Sequence, residues 1–382
     1  MTAQASARLI FAGGGTGGHL FPAIAVANRV RELLAGTLPV EILFVGTKRG
    51  LEYRMREKLG YRLHTIHMRG IVRGLTLLNL LVPFVVFAAL IRAHHLLGRF
   101  KPDIVVGTGG YVCWPVLKVA AWKKITTFLQ EQNSYPGVAT RQLAGRAKKI
   151  YLGFERAGSY LKTDAEIVVS GNPVRSNIAA GDRARAREKF GLRPDVRTIL
   201  VLGGSQGARA INQAVLSSLE NKRIDHGFQL LWQTGKRDYK EVVEKAAKRV
   251  ENCALFPFAE EMELVYAAAD MVIARAGALS LAEIAACGLP SLLIPYPHAA
   301  GDHQRRNAED YVARGMALMI EEKNIGQVDI LEEARKLLVS PRLGQMKEAI
   351  EREAAGKKPA VDIIAEDIVA ELKAMKRVGV KE

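Results

Sequence analysis

The sequence predicts an α/β protein made of two doubly wound, parallel-sheet domains. Three observations predict it. Short apolar runs rich in β-branched residues alternate with stretches of helical spacing from end to end. There are ten such runs, more than one ordinary sheet holds. A strand, glycine-loop, helix signature also opens both halves, as Leu9-Ile-Phe-Ala-Gly-Gly-Gly-Thr-Gly-Gly and as Ile199-Leu-Val-Leu-Gly-Gly-Ser-Gln-Gly-Ala.

In chain order, strands are expected at residues 8–12, 40–45, 103–106, 125–129, 149–152 and 167–169, then at 198–202, 228–233, 271–274 and 291–295. Segments with helical spacing lie between most of them, which is the pattern of parallel strands joined by crossover helices. The turn-rich stretch Ser170-Gly-Asn-Pro-Val-Arg175 marks the junction, with one domain over 1–174 and a second starting at 175.

Composition limits the function. The chain has 382 residues, 49% of them hydrophobic, which excludes a disordered protein. Cys113, Cys253 and Cys287 are far apart and form no CxxC pair, which excludes a disulfide scaffold or zinc ribbon and points to a reducing compartment. Lys+Arg number 55 against 39 Asp+Glu, a net charge of +16 that calls for an anionic partner: nucleic acid, an anionic membrane surface or a phosphorylated substrate. Residues 1–174 hold 23 basic and 9 acidic side chains, a net of +14, so nearly the whole surplus sits in the first half. Basic–aromatic interleaving of the nucleic-acid-binding kind is missing, so no nucleic acid is expected.

The first half also holds the longest apolar run, residues 74–91, with no charge over 18 positions. That reaches the length of a membrane span. Asn79 and Pro83 interrupt it, and Arg69, Arg73, Arg92, Arg99 and Lys101 flank both ends without asymmetry, so spanning is not expected. Apolar surface rimmed by Lys and Arg reads as a helix lying in an anionic interface, with Leu75, Leu78, Phe84, Phe87, Leu90 and Ile91 as its membrane patch. A buried core helix is the competing reading. Residues 9–12 are too short for the apolar core of a signal peptide.

Glycine loops follow three strands. Gly13-Gly-Gly-Thr-Gly-Gly18-His19 lets the backbone approach a phosphate at a helix N-terminus. Gly13, Gly15 and Gly18 match GxGxxG, but Gly46-Thr47-Lys48 stands where a dinucleotide site needs an acid, which counts against NAD or FAD. Gly107-Thr-Gly-Gly-Tyr111 and Gly203-Gly-Ser-Gln-Gly-Ala208 are the other two. Ligands collect at the carboxyl ends of strands, so the three loops are expected to face each other across a cleft between the domains. Farther on, Arg275 ends a strand beside a helix start and reads as a diphosphate clamp. Glu283, one turn in, is either a ribose acceptor or a carboxylate capping the first turn.

These residues resemble one family. The motifs Gly-Gly-Gly-Thr-Gly-Gly-His-Leu-Phe-Pro-Ala, Gly-Gly-Tyr, Glu131-Gln-Asn133, Gly171-Asn-Pro-Val-Arg175, Gly-Gly-Ser-Gln-Gly-Ala, and Arg-Ala-Gly-Ala-Leu-Ser…Glu with Asp-His-Gln…Asn-Ala look like the MurG family of bacterial glycosyltransferases, in order from about residue 9 to 308. The resemblance implies a GT-B fold: two Rossmann-like doubly wound domains, 1–174 and 175–357, facing across a cleft, with the helix of residues 358–382 returning to the first. It implies inverting transfer of N-acetylglucosamine from UDP-GlcNAc to the C4 hydroxyl of an undecaprenyl-diphosphate-linked muramyl-pentapeptide. It further implies a peripheral enzyme on the cytoplasmic face of the bacterial inner membrane, with cell-wall synthesis and division proteins as partners.

Carried over by motif, the donor is expected at Thr16, Gly17, Gly18, Asn133, Arg175, Ser205, Ala259, Arg275, Ala278, Leu279, Ser280, Leu281, Ala282, Glu283 and Gln304. The backbone of Ala259 would read uracil, and Gln304 would bind the sugar. Gly14, Gly15, Gly109, Gly110 and Tyr111 are expected at the acceptor and its diphosphate. Ser280 stands where the family often has Thr, and Ala259 where it has a larger aliphatic residue. No DxD occurs in the chain, so no metal or other cofactor is expected. Helix N-termini, loop amides and Arg175 or Arg275 would stabilise the leaving UDP. Inversion needs one general base, and His19 and Glu131 are the two candidates. For His19 the competing reading is a loop residue that caps the helix or binds an oxygen. A UDP-GlcNAc 2-epimerase of the same fold, or a diacylglycerol glycosyltransferase, is the rival function.

Overall fold

The computed structural model describes residues 6–68, 82–204, 207–221, 227–246 and 253–378. It divides into two compact units, Met1–Arg175 with Lys358–Glu382, and Ser176–Lys357.

The first unit is built on seven strands: β1 (Ala7–Gly13), β2 (Val40–Gly46), β3 (Arg62–Thr65), β4 (Ile104–Gly109), β5 (Thr126–Glu131), β6 (Lys149–Leu152) and β7 (Glu166–Val169). Their order is β3-β2-β1-β4-β5-β6-β7, with every neighbouring pair parallel. Helices α1 (Gly17–Leu34), α2 (Leu51–Arg54), α3 (Val82–Phe100), α4 (Cys113–Trp122) and α5 (Val138–Leu143) follow β1 to β5 in turn. The chain winds outward from β1 in both directions, so the order in which strands are added reverses between β1 and β4. Side chains alternate along β1. Leu9 and Phe11 enter one core layer and Ile10 and Ala12 the opposite one. Both layers are covered, which is why the strand reads as an unbroken apolar run.

One layer is closed by α1, through Leu20, Val26 and Val30, and by the C-terminal helix Ala360–Val378, through Ile364, Ile368 and Leu372. Burying those three contributes roughly 1.5–3 kcal/mol each. Polar ties fix the same helix: Arg29 to Asp362 (2.6 Å), Lys149 and the Tyr151 hydroxyl to Asp367 (both 2.9 Å), and Lys376 to Asp103 (3.1 Å). The other layer is covered by α3, through Ala89, Ala93 and Leu97, and by α4, through Val116 and Leu117.

The second unit repeats the plan with β8 (Arg197–Leu202), β9 (Phe228–Gln233), β10 (Cys253–Phe256), β11 (Met271–Ala274), β12 (Ser291–Leu293) and β13 (Ala317–Met319), ordered β10-β9-β8-β11-β12-β13 and again parallel. Ile199, Val201, Trp232 and Ile273 anchor its core. Strands β3, β10 and β13 are additions to the ten read from the sequence. Each has three or four residues, too few for a pattern, and β3 exposes Arg62 and His64 at the sheet edge.

Candidate active site

In the first unit, β1, β4 and β5 lie side by side, so the loops at their carboxyl ends meet. The β1–β4 register shifts between Ala12 and Gly13, so that Gly13 pairs with Gly109 and Thr108 falls in the irregularity. Thr108 Oγ1 then donates to the main-chain carbonyl of His19 (2.8 Å). The carbonyl of Thr108 accepts from Gln132 Nε2 (2.8 Å), the carbonyl of Gln132 accepts from Asn172 Nδ2 (3.0 Å), and Asn172 Oδ1 accepts from Gln130 Nε2 (3.0 Å). Four motifs scattered over more than 150 positions are thus one hydrogen-bonded frame. Gly110 takes a positive φ of 82°, and a Cβ there would stand 2.6 Å from Gly14 O, so the two glycine loops touch backbone to backbone.

His19 sits in the first turn of α1. Its Nδ1 lies 3.2 Å from Gly14 O and 3.3 Å from Thr16 Oγ1. A carbonyl oxygen only accepts, which assigns the proton to Nδ1 and leaves Nε2 as the basic nitrogen. A Cβ on Gly109 would meet the ring at Cδ2 (2.7 Å) and Nε2 (3.0 Å), so only glycine lets the second loop approach that edge.

Glu131 has a different post from the one expected. It is buried, and both its oxygens are engaged: Oε1 accepts from Asn133 N (3.0 Å), and Oε2 from Gly137 N (3.0 Å) and Thr140 Oγ1 (2.6 Å). It holds the 131–140 loop and the start of α5 together, which is a structural cap and not the setting of a base that must reach substrate. Asn133 is bound into the same turn, Tyr111 is exposed on the second glycine loop, and Arg175 is half-buried at the last position of the unit.

One residue was not anticipated. Glu52, fully buried on α2, accepts from Gly15 N (2.8 Å) and from Thr47 N (2.7 Å). The acid missing at the end of β2 stands six residues beyond Gly46 and turns inward to the loop.

In the second unit, β10, β9, β8, β11 and β12 bring another set of loops to one edge. Ser205 lies outside the described residues, as do Leu75 and Leu78 of the apolar run. Gln233 at the end of β9 donates to Gly204 O (3.2 Å) and accepts from Ala259 N (3.2 Å), joining the third glycine loop to the segment expected to read uracil. The helix Ala278–Ala286 starts at Gly277, which brings no capping side chain to its first amides. Ala278, Leu279 and Leu281 point into the core, while Ser280, Ala282 and Glu283 are half-buried. Glu283 accepts from the Tyr266 hydroxyl (3.0 Å) and Gln304 Oε1 from Tyr296 N (3.0 Å). Arg275 departs from the clamp expected of it. Its guanidinium pairs with Glu322, donates to Ile294 O (3.1 Å) and Pro295 O (3.3 Å), and stacks on Tyr296. Those partners fix its direction inside the unit.

Two family domains match the chain: the glycosyltransferase family 28 N-terminal domain over residues 9–152 and its C-terminal domain over residues 198–365. The two parallel, Rossmann-like sheets are those of a GT-B glycosyltransferase. A UDP-N-acetylglucosamine--N-acetylmuramyl-(pentapeptide) pyrophosphoryl-undecaprenol N-acetylglucosamine transferase from Chlorobium luteolum is 45% identical over 86% of this chain and 90% of its own. One of the same name from Chlorobaculum tepidum is 40% identical over 95% and 99%. The chain belongs to this family, the MurG transferases. The crystal structure of Acinetobacter baumannii MurG superposes with a TM-score of 0.72 at 26% identity, covering 95% of this chain and all of that one. A UDP-GlcNAc 2-epimerase from Neisseria meningitidis, TM-score 0.63 at 13% identity over 97% of this chain and 100% of that one, shares the fold alone.

Proposed function

We infer that the protein transfers N-acetylglucosamine from UDP-GlcNAc to the C4 hydroxyl of an undecaprenyl-diphosphate-linked muramyl-pentapeptide, with His19 as general base. The observation that carries the chemistry is the 3.2 Å contact of His19 Nδ1 with Gly14 O, which assigns the proton to Nδ1 and makes Nε2 the basic nitrogen. Nε2 takes the proton of the acceptor hydroxyl, the freed electron pair on oxygen attacks the anomeric carbon, and the bond to UDP breaks on the opposite face. Imidazole is the side chain most often used for proton transfer at neutral pH. Leaving-group charge is met by main-chain amides, those at the start of the helix Ala278–Ala286.

The second part of the reading concerns the membrane. Helix α3 is long and apolar enough to cross a bilayer, yet Pro83 stands at its second position and Ala89, Ala93 and Leu97 are packed on the sheet. The opposite face exposes Phe84 (74%), Phe87 (65%) and Ile91 (44%) at helical spacing. Leu90 is half-buried and does not belong to that face. Neighbouring α4 adds exposed Trp122, with Lys118 Nζ poised over the rings of Trp114 (6.0 Å) and Trp122 (5.9 Å). Aromatic and aliphatic side chains beside Lys and Arg favour a peripheral seat on an anionic leaflet, where the acceptor resides.

The deciding experiment incubates the protein with UDP-GlcNAc and a polyprenyl-diphosphate muramyl acceptor. UDP release that depends on the acceptor is the expected result. Release without acceptor, or conversion of UDP-GlcNAc to an epimer, overturns the assignment.

A further inference from the structure

We propose that Glu52 is the positioning residue of the catalytic base, acting on His19 through the single peptide group that joins Gly14 to Gly15. The proposal rests on the reading of His19 as the base.

That peptide is held at both ends. Its carbonyl, Gly14 O, accepts from His19 Nδ1 (3.2 Å), and its N–H, on Gly15, donates to Glu52 Oε2 (2.8 Å). The peptide is planar, so its two ends turn together, and an orientation imposed at the N–H is imposed on the carbonyl. Imidazole, peptide and carboxylate therefore form a base oriented by a third group, with a peptide inserted between them. As Nε2 gains a proton, the Nδ1–H bond to the carbonyl strengthens, the peptide polarises, and the Gly15 N–H bond to the carboxylate strengthens with it. No proton crosses the peptide, and the Glu52 side chain acts only as the acceptor of the Gly15 N–H.

The surroundings of Glu52 fit this role. Oε1 accepts from Thr47 N (2.7 Å) and Thr47 Oγ1 (3.2 Å), so the carboxylate is solvated by main-chain and hydroxyl donors. A Cβ on Gly14, Gly46 or Gly50 would stand 2.5, 2.3 or 2.1 Å from its side chain, so three glycines are shaped around it. In a dinucleotide site such a loop amide is offered to phosphate. Here the amide is taken internally, and the loop is set before substrate arrives.

The test uses the full-length protein and compares Glu52→Gln, His19→Ala and the double variant in the acceptor-dependent assay. Glu52→Gln is expected to lower kcat about tenfold to a hundredfold while leaving KM for UDP-GlcNAc within about twofold. The double variant is expected to be no slower than His19→Ala alone. Glu52→Ala should regain part of its kcat with added acetate, whose carboxylate fits the vacated donors, and not with chloride. Wild-type kcat in Glu52→Gln, or losses that multiply in the double variant, overturns the proposal. Near-wild-type kcat in His19→Ala overturns the base assignment instead. Should Glu52→Gln not fold, Thr47→Val removes one donor and is expected to show the same split at about threefold; an unchanged kcat there overturns the proposal as well.

Discussion

The hydroxyl of Thr108 donates to the main-chain carbonyl of His19 across 2.8 Å. The second glycine loop thus holds His19 by its backbone, at the point where the β1–β4 register breaks.

Thr108→Val removes that donor with little change in shape. The variant is expected to lose about tenfold in kcat, the worth of one hydrogen bond to a partner left unsatisfied, with KM for UDP-GlcNAc unchanged. Steady-state kinetics decide it, and an unchanged kcat would show that the tie does not bear on turnover.

The two acid–base candidates separate by what they cost. His19→Ala should keep the melting temperature and lose about 10²–10⁴ in kcat. Glu131→Ala should lower the melting temperature by about 2–8 °C, because three donors lose a buried acceptor. A Glu131→Ala variant that melts like wild type would remove the capping role.

Phe84→Asp with Phe87→Asp addresses the exposed face of α3. Each buried phenyl ring contributes roughly 1.5–3 kcal/mol, so binding to vesicles rich in anionic lipid is expected to weaken at least about tenfold. Turnover of a short-chain soluble acceptor should be spared. Vesicle co-sedimentation that matches wild type would reject the interface.

The seat of the C-terminal helix predicts an alkaline weakness. Burial works against the Lys149 ammonium, but its bonds to Asp367 and Glu166 outweigh that and raise its pKa. Burial, reinforced by Asp367, raises the Tyr151 hydroxyl as well. A raised pKa means the folded state keeps its proton longer than the unfolded chain. The stability from both groups is therefore complete below about pH 10 and is lost as pH rises from there. Thermal melts from neutral to strongly alkaline pH should show the fall, and Asp367→Asn should make it shallower. An equally steep fall in Asp367→Asn would place its cause elsewhere.

The doubly wound plan was legible because strands such as β1 and β8 are buried on both faces and read as apolar runs between glycine loops. Strand β3 was not, because Arg62 and His64 point to solvent and four residues set no period. The site was legible as motifs but not as roles. Glu131 looks like a free carboxylate until Thr140, nine positions on, is seen to bind it. Arg275 looks like a clamp until Glu322 is found beside it. Glu52 was invisible because two of its three donors are main-chain N–H groups, which no side chain advertises.

The return of helix Ala360–Val378 to the first unit has a kinetic consequence. Leu9 and Phe11 leave the ribosome early, but Ile364, Ile368 and Leu372, which complete their core, come after the whole stretch Ser176–Lys357. At about 5–20 residues per second that is a wait of roughly ten to forty seconds. The second unit is continuous in sequence and can close while the first still shows an apolar sheet face. The half synthesised first is thus the half completed last, and in that interval the nascent chain most needs a chaperone's cover.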